Sequence, residues 1–215
     1  QGGHSSLPLK NNAVDHLAEA VAAISRARLP WHPSPETSAF LDGMARPLGG
    51  VARKVAGLLS HPVLGPLLLP VLVPEPGRRA SVEAILRNTA TPTGLQGSAS
   101  INSRAATASV DVDGRLAPGQ RASDLIGELR KVLPASLRER IRFDILHEAP
   151  SVSFSTDTPL YQEIEQSIAR ADPEGIVVPS IIPGFTDSQN YACLGAQCYG
   201  FYPLQLSPEL DFAAL

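Results

Sequence analysis

Basic excess, cysteine and long unbroken apolar runs are all scarce in this chain of 215 residues. Lys and Arg number 18 against 21 Asp and Glu, for a net charge of -3. There is thus no basic patch of the kind that neutralises phosphates, nor a long acidic run, and nucleic acid is not an expected partner. The most apolar stretch, "VLGPLLLPVLVPEP", holds four prolines, so it is too short and too broken to span a bilayer. Only two cysteines occur, Cys193 and Cys198. Their spacing without partner cysteines is neither a zinc site nor a disulfide framework. They read as small buried apolar residues, with a disulfide as the alternative, and they leave the compartment open. GxSxG, HExxH, a Walker loop and a GxGxxG following a strand are also missing, which removes the usual stand-alone catalytic motifs. The chain opens on Gln1 with no signal peptide after it, as expected of a processed form or a fragment.

What is present is ordinary for a globular protein: 43% hydrophobic and 18% charged residues, in a length that makes one large domain or two smaller ones. From Asn12 to Arg28, Val14, Leu17, Ala18, Val21 and Ile24 recur at helical spacing, with Asn11 or Asn12 as cap and Leu29-Pro30 as the stop. Residues 30 to 74 are rich in proline, glycine and leucine and predict short helices around Ser38–Met44, Val51–Leu59 and Val63–Leu69, broken by Pro47, Pro62 and Pro70. This stretch is too apolar for a linker and calls for a partner surface or a greasy ligand. His32 and His61, beside prolines, read as loop residues.

"SVEAILRNTATP" and "AATASVDVDGRL" alternate with period two around the turn-rich "GLQGSASINSR". An amphipathic helix, Ser123–Leu133, and a third alternating stretch, "IRFDILHEA" with His147, follow. Helix, strand, strand, helix, strand is a split βαβ pattern: a ferredoxin-like sandwich with one strand expected before Gln1. After residue 150, Thr158-Pro159 starts a helix, and "GIVVPSIIPGFTDSQNYACLG" and "AQCYGFYPL" predict strand, short helix and strand, like the edge of an α/β sheet. The boundary falls near residues 150 to 155.

Chemistry has few places to sit. "QGGHSSLP" wedges His4 between glycines and serines, either as a solvated residue near a terminus or as an imidazole offered to a ligand. Asn102 lies in the hairpin turn, as a turn former or a ligand contact. Arg115 ends the second strand in "DVDGRLAPGQ", as a partner for Asp111 or Asp113 or as a carboxylate grip. Asn with Arg is a natural pair for holding a carboxylate. In "PGFTDSQ", Gly184 and Thr186 offer donors just before a helix N-terminus.

"GGHSSLP", "NTATPTGLQGSASIN", "VDVDGRLAPGQ", "PLYQEIEQSIARADP", "PGFTDSQNY" and "CYGFYPL", in that order, together resemble the dinuclear-zinc metallopeptidases of the aminoacylase and carboxypeptidase S type. The resemblance implies an α+β chain. Residues 1–152 would be a ferredoxin-like lid or dimerisation domain with an apolar helical insertion at about 30–80, and 153–215 the C-terminal part of an α/β catalytic domain. It implies hydrolysis of N-acyl amino acids or peptides with a free C-terminus, a homodimer formed through the lid, and two zinc ions. His4 would polarise the scissile carbonyl, while Asn102, Arg115, Gly184 and Thr186 would bind substrate. The zinc ligands (HxD, a bridging aspartate, adjacent glutamates and a last histidine) are expected upstream of Gln1 and just after Leu215, with none in this chain. Two departures stand out: the family's N-V-I-P is Asn102-Ser103-Arg104-Ala105 here, and the arginine usual after T-D-S is Gln189. The rival class is an inert dimerisation or binding module without the zinc centre.

Overall fold

The computed structural model describes residues 3, 4, 6, 12–149, 151–182, 184 and 186–201. In chain order the elements are β1 (Gly3–His4), α1 (Ala13–Arg26), α2 (Pro35–Ala45), α3 (Gly50–Gly57) running into a 3-10 turn (Leu58–Ser60), α4 (Leu64–Leu72), α5 (Pro76–Leu86), β2 (Thr89–Gln96), β3 (Ser103–Arg104), β4 (Ser109–Arg115), α6 (Ala122–Val132), α7 (Ala135–Arg138), α8 (Pro159–Ala171) and α9 (Ser188–Ala192). The class is α+β. Two compact units emerge: Gln1–Pro30 with Asn88–Arg115 and Arg121–Glu148, and Trp31–Arg87 with Leu116–Gln120 and Ala149–Leu215.

In the first unit, α1 begins where the Asn12 side-chain oxygen accepts from the Val14 and Asp15 amides at 2.8 and 3.0 Å, which satisfies donors that a helix start leaves open. Its buried face is Ala20 and Ile24. β2 and β4 pair antiparallel from Thr89↔Arg115 to Gln96↔Ser109, with the register slipping between Pro92 and Gly94. The extra residue is Thr93, so the proline, which has no N–H to give, sits beside a bulge where the ladder is already interrupted. α6 lies close against β4: a Cβ on Gly114 would come within 2.6 Å of Leu125 Cδ2. Across the same unit, buried Asn88 donates to buried Glu128 at 3.1 Å.

One expected strand fails in this unit, and the ferredoxin-like sheet is not seen whole. A single sheet of three or four strands is not found: the described residues form two separate two-stranded ladders, β1–β3 and β2–β4. "IRFDILHEA" alternates in exposure over Ile141–Asp144, yet 141–149 forms no strand. Alternation supplies a face but not a partner for backbone N–H and C=O groups. The segment instead packs along α6. The Arg130 guanidinium lies 5.2 Å over the Phe143 ring, and Glu148 accepts from the Ala122 amide at 3.0 Å, capping the helix.

In the second unit the core is Trp31, Leu41, Leu59, Leu69, Ile85 and Leu86. Trp31 donates its indole N–H to the Leu59 carbonyl at 2.8 Å, and the His32 amide donates to Leu86 at 2.6 Å. His61 caps α4 through Nδ1, which accepts from the Val63 and Leu64 amides, both at 3.2 Å. The expected break at Pro70 is absent. α4 runs through it to Leu72, and the Val73 amide closes on Leu69 at 2.8 Å. The bond that Pro70 forgoes is the one to Pro66, near the helix start, so the later bonds are untouched. α5 also corrects the reading of "SVEAIL" as strand. Glu75 caps the helix, Pro76 opens it, and Val82, Ile85 and Leu86 fit the helical period as well as the alternating one.

The apolar stretches at 176–182 and 196–201 form no strand either. The first packs without regular structure, with Val178 so close to Gly43 that a Cβ there would meet Val178 Cγ1 at 2.7 Å. Ile181 joins the core. Thr158 caps α8 as expected, accepting from the Tyr161 amide at 3.2 Å. Tyr199 reaches both the Thr158 hydroxyl and the Ser155 carbonyl at 2.6 Å. Cys193 is exposed and Cys198 half-buried, both free thiols, which corrects their reading as buried. Ser153 donates to Glu36 at 2.6 Å and holds that carboxyl below the usual glutamate range. Any stability this adds is therefore present above the unfolded-state pKa and lost as pH falls through the lowered one.

Gly65 is the tightest point of this core. A Cβ there would run into the Leu59 carbonyl oxygen and stand 2.9 Å from Trp31 Nε1. Gly65→Ala is expected to lower unfolding free energy by about 1–3 kcal/mol, read as a shifted urea midpoint with unchanged slope. An unshifted midpoint would show that α4 moves aside freely.

Candidate functional site

The site begins with the shortest ladder. Gly3 pairs with Arg104 and His4 with Ser103, antiparallel. Just past β3, the Ala13 amide donates to the Ala105 carbonyl at 3.4 Å. The start of α1 and the β1–β3 pair therefore share one neighbourhood. The turn leading into β3 is built by serines: the Ser103 amide donates to the Ser100 carbonyl at 3.2 Å, and the Ser100 hydroxyl to the Asn102 side-chain oxygen at 2.6 Å. This leaves the Asn102 amide nitrogen without a partner among the described residues. His4 and Asn102 are thus one cross-strand step and one residue apart.

Arg115 is elsewhere. It ends β4, half-exposed, in an ion pair with Asp113 at 2.7 Å, one of the two partners offered in the sequence. β4 advances about 20 Å from Ser109 to that end, and Asn102 precedes its beginning. Gly184 and Thr186 belong to the second unit. Both are exposed, just before Asp187 and α9. A Cβ at Gly184 would meet Ile182 Cγ2 at 3.7 Å, an ordinary contact.

Sequence reasoning gave no role to Arg104. It is half-buried, and its guanidinium lies over Gly3, where a Cβ would stand 2.9 Å from Nη2. Glycine at position 3 is what lets it lie there. The Nε–H is buried without an acceptor, and no ion pair reaches Arg104 among the described residues. The available signal was a cation standing where the N-V-I-P pattern has an apolar residue.

Among the described residues no group of three or more His, Cys, Asp or Glu could hold a metal ion. The zinc pair of the family resemblance therefore does not fit these residues.

A family model for the peptidase dimerisation domain of M20 peptidases matches residues 1–140. The chain belongs to the M20 peptidase family. M20 relatives of this chain include the zebrafish N-fatty-acyl-amino acid synthase/hydrolase PM20D1.1, 28% identical over 211 residues, covering 96% of this chain and 39% of that protein. The human N-fatty-acyl-amino acid synthase/hydrolase PM20D1 is 30% identical over 215 residues, 98% of this chain and 41% of its own length. A probable carboxypeptidase S-like 2 of Dictyostelium discoideum is 26% identical over 208 residues, 95% of this chain and 38% of its length. No solved structure matches. This M20 chain spans about two fifths of the curated relatives it matches. The dimerisation-domain match contains the β1–β3 ladder, Asn102 and Arg115.

Proposed function

We propose that this chain is the substrate-binding and dimerisation portion of an amidohydrolase that cleaves N-acyl amino acids or peptides with a free C-terminus. The observation that carries the reading is the dimerisation-domain match over residues 1–140, whose ladder sets His4 beside the Asn102 turn. In this reading residues 1–152 are a ferredoxin-like lid with an apolar insertion, 153–215 belong to a catalytic domain, and the lid pairs two copies. His4 donates to the oxygen of the scissile carbonyl as charge develops there. Asn102 and Arg115 serve the amino-acid half of the substrate, each at its own end of β4, and Gly184 and Thr186 line the backbone of the substrate. The relatives' names support an acyl chain on the other half. So does α4, where Leu67 and Val71 stay 68% and 75% exposed and offer an apolar wall. Any zinc belonging to this reading is held by residues other than those described.

The second reading is an inert dimerisation or binding module, which the dimerisation-domain match over residues 1–140 fits as well. The longest open reading frame containing this chain separates the two. Expressed and supplied with zinc, it is expected to release the free amino acid from an N-acyl amino acid such as N-octanoyl-leucine. Dimerisation with no release would establish the module instead.

A further inference from the structure

We infer that Ile101 is a specificity-determining residue, which meets the side chain of the amino-acid half of the substrate and favours apolar ones such as leucine; the inference rests on the amidohydrolase reading above. Ile101 and Asn102 are the two central residues of a β-turn closed by the Ser103 amide on the Ser100 carbonyl at 3.2 Å. Around them the side chains are small and polar, as turns prefer, and they are engaged in building the turn. Ser98 Oγ accepts from the Ser100 amide at 3.2 Å, and the Ser100 hydroxyl donates to the Asn102 side-chain oxygen at 2.6 Å. Ile101 breaks that pattern. It is 107% exposed, more than any other large apolar side chain among the described residues, and so it buries nothing in the turn or the core.

Place decides what it meets. A single exposed apolar residue on a plain surface needs no explanation, but this one stands between two residues of the site. The turn ends on Ser103, which pairs with His4 across the β1–β3 ladder, so Ile101 is next to Asn102 and two residues from the one opposite the histidine. In the proposed reaction His4 faces the scissile carbonyl and Asn102 the amino-acid half. The substrate atoms between those two are the amide nitrogen, the α-carbon and the side chain that branches from it. The acyl chain leaves the carbonyl in the other direction. A β-branched side chain has little rotamer freedom to lose on contact, and packing against leucine takes apolar surface of both out of water. The hydrogen bonds of the turn and the ladder fix the backbone beneath Ile101 before substrate arrives, which lowers the cost of binding.

The experiment measures kcat/KM of the longest reading frame for N-octanoyl-leucine, N-octanoyl-glycine and N-octanoyl-lysine. Wild type is expected to prefer leucine to glycine. Ile101→Ser should lower that ratio about three- to tenfold, since a one-sided contact discriminates less than a closed apolar pocket does. Ile101→Val should keep most of the ratio. Ile101→Glu should shift the balance from leucine toward lysine by about tenfold, through a charge-assisted contact, a gain that a merely structural residue would not produce. The urea midpoint should be the same in all three variants, because a fully exposed side chain contributes no packing. If Ile101→Ser leaves the ratio unchanged, or lowers leucine and glycine turnover together, Ile101 does not select and the hydrolase reading stands. Equal use of leucine and glycine substrates by wild type also overturns the selectivity alone. No hydrolysis of any of the three by wild type overturns the selectivity and the hydrolase reading together.

Discussion

Replacing His4 by alanine in the longest reading frame is expected to cut kcat about a hundred- to a thousandfold while KM for the N-acyl amino acid stays nearly constant. A donor aimed at a developing oxyanion is used far more in the transition state than in the bound substrate, and losing one costs about 3–4 kcal/mol. Metal content should be the same in wild type and variant, because His4 is not a ligand in this reading. The measurement is steady-state kinetics beside metal analysis of the purified proteins. Lost metal would make His4 a ligand, and an unchanged kcat would make it a residue of the β1–β3 ladder and nothing more.

Trp31→Ala is expected to be the most damaging single substitution in the second unit, at about 3–5 kcal/mol. Three interactions end together. The indole fills a core with Leu41, Leu59, Leu69, Ile85 and Leu86. Its N–H satisfies the Leu59 carbonyl at 2.8 Å. Its ring face receives the Arg87 guanidinium at 4.7 Å, and Arg87 is itself buried and within 4.0 Å of Glu83. Removing the ring therefore leaves a cavity, an unpaired carbonyl and a buried cation with one contact fewer. Trp31→Phe keeps much of the volume and the ring face and should cost clearly less, and what it still costs against wild type reports mainly the lost Leu59 hydrogen bond. Chemical denaturation followed by fluorescence reads both, through the tyrosines once the tryptophan is gone. Equal midpoints for Trp31→Ala and wild type would mean that this core does not limit stability.

The helices were legible wherever a cap and a period agreed. Asn12 before α1 and Thr158-Pro159 before α8 each announce a start that the apolar spacing then continues. Where the period was short, it misled. Val82, Ile85 and Leu86 satisfy two templates, and only the cap at Glu75 decides for a helix. The stretch at 141–149 fails for another reason: strand formation is settled by a neighbour's backbone, which no pattern within the segment encodes. Pro70 shows the same limit, since its cost depends on which carbonyl it leaves unpaired. At the site, His4, Asn102 and Arg115 stood out by residue type and position, and the family resemblance gave them roles. That His4 lies beside Asn102 is a fact of pairing between residues about a hundred positions apart, beyond the reach of local sequence.

The β1–β3 ladder is only two residue pairs long, which makes it a latch rather than a sheet. Short, exposed pairings sit at the low end of the local opening energies in a protein, so this latch contributes little to holding the domain together. By mass action, whatever binds the paired form alone keeps it closed. Occupancy would thus be recorded in the solvent-exchange rates of the Gly3 and His4 amides, a signal carried at the edge of the fold while its core remains still.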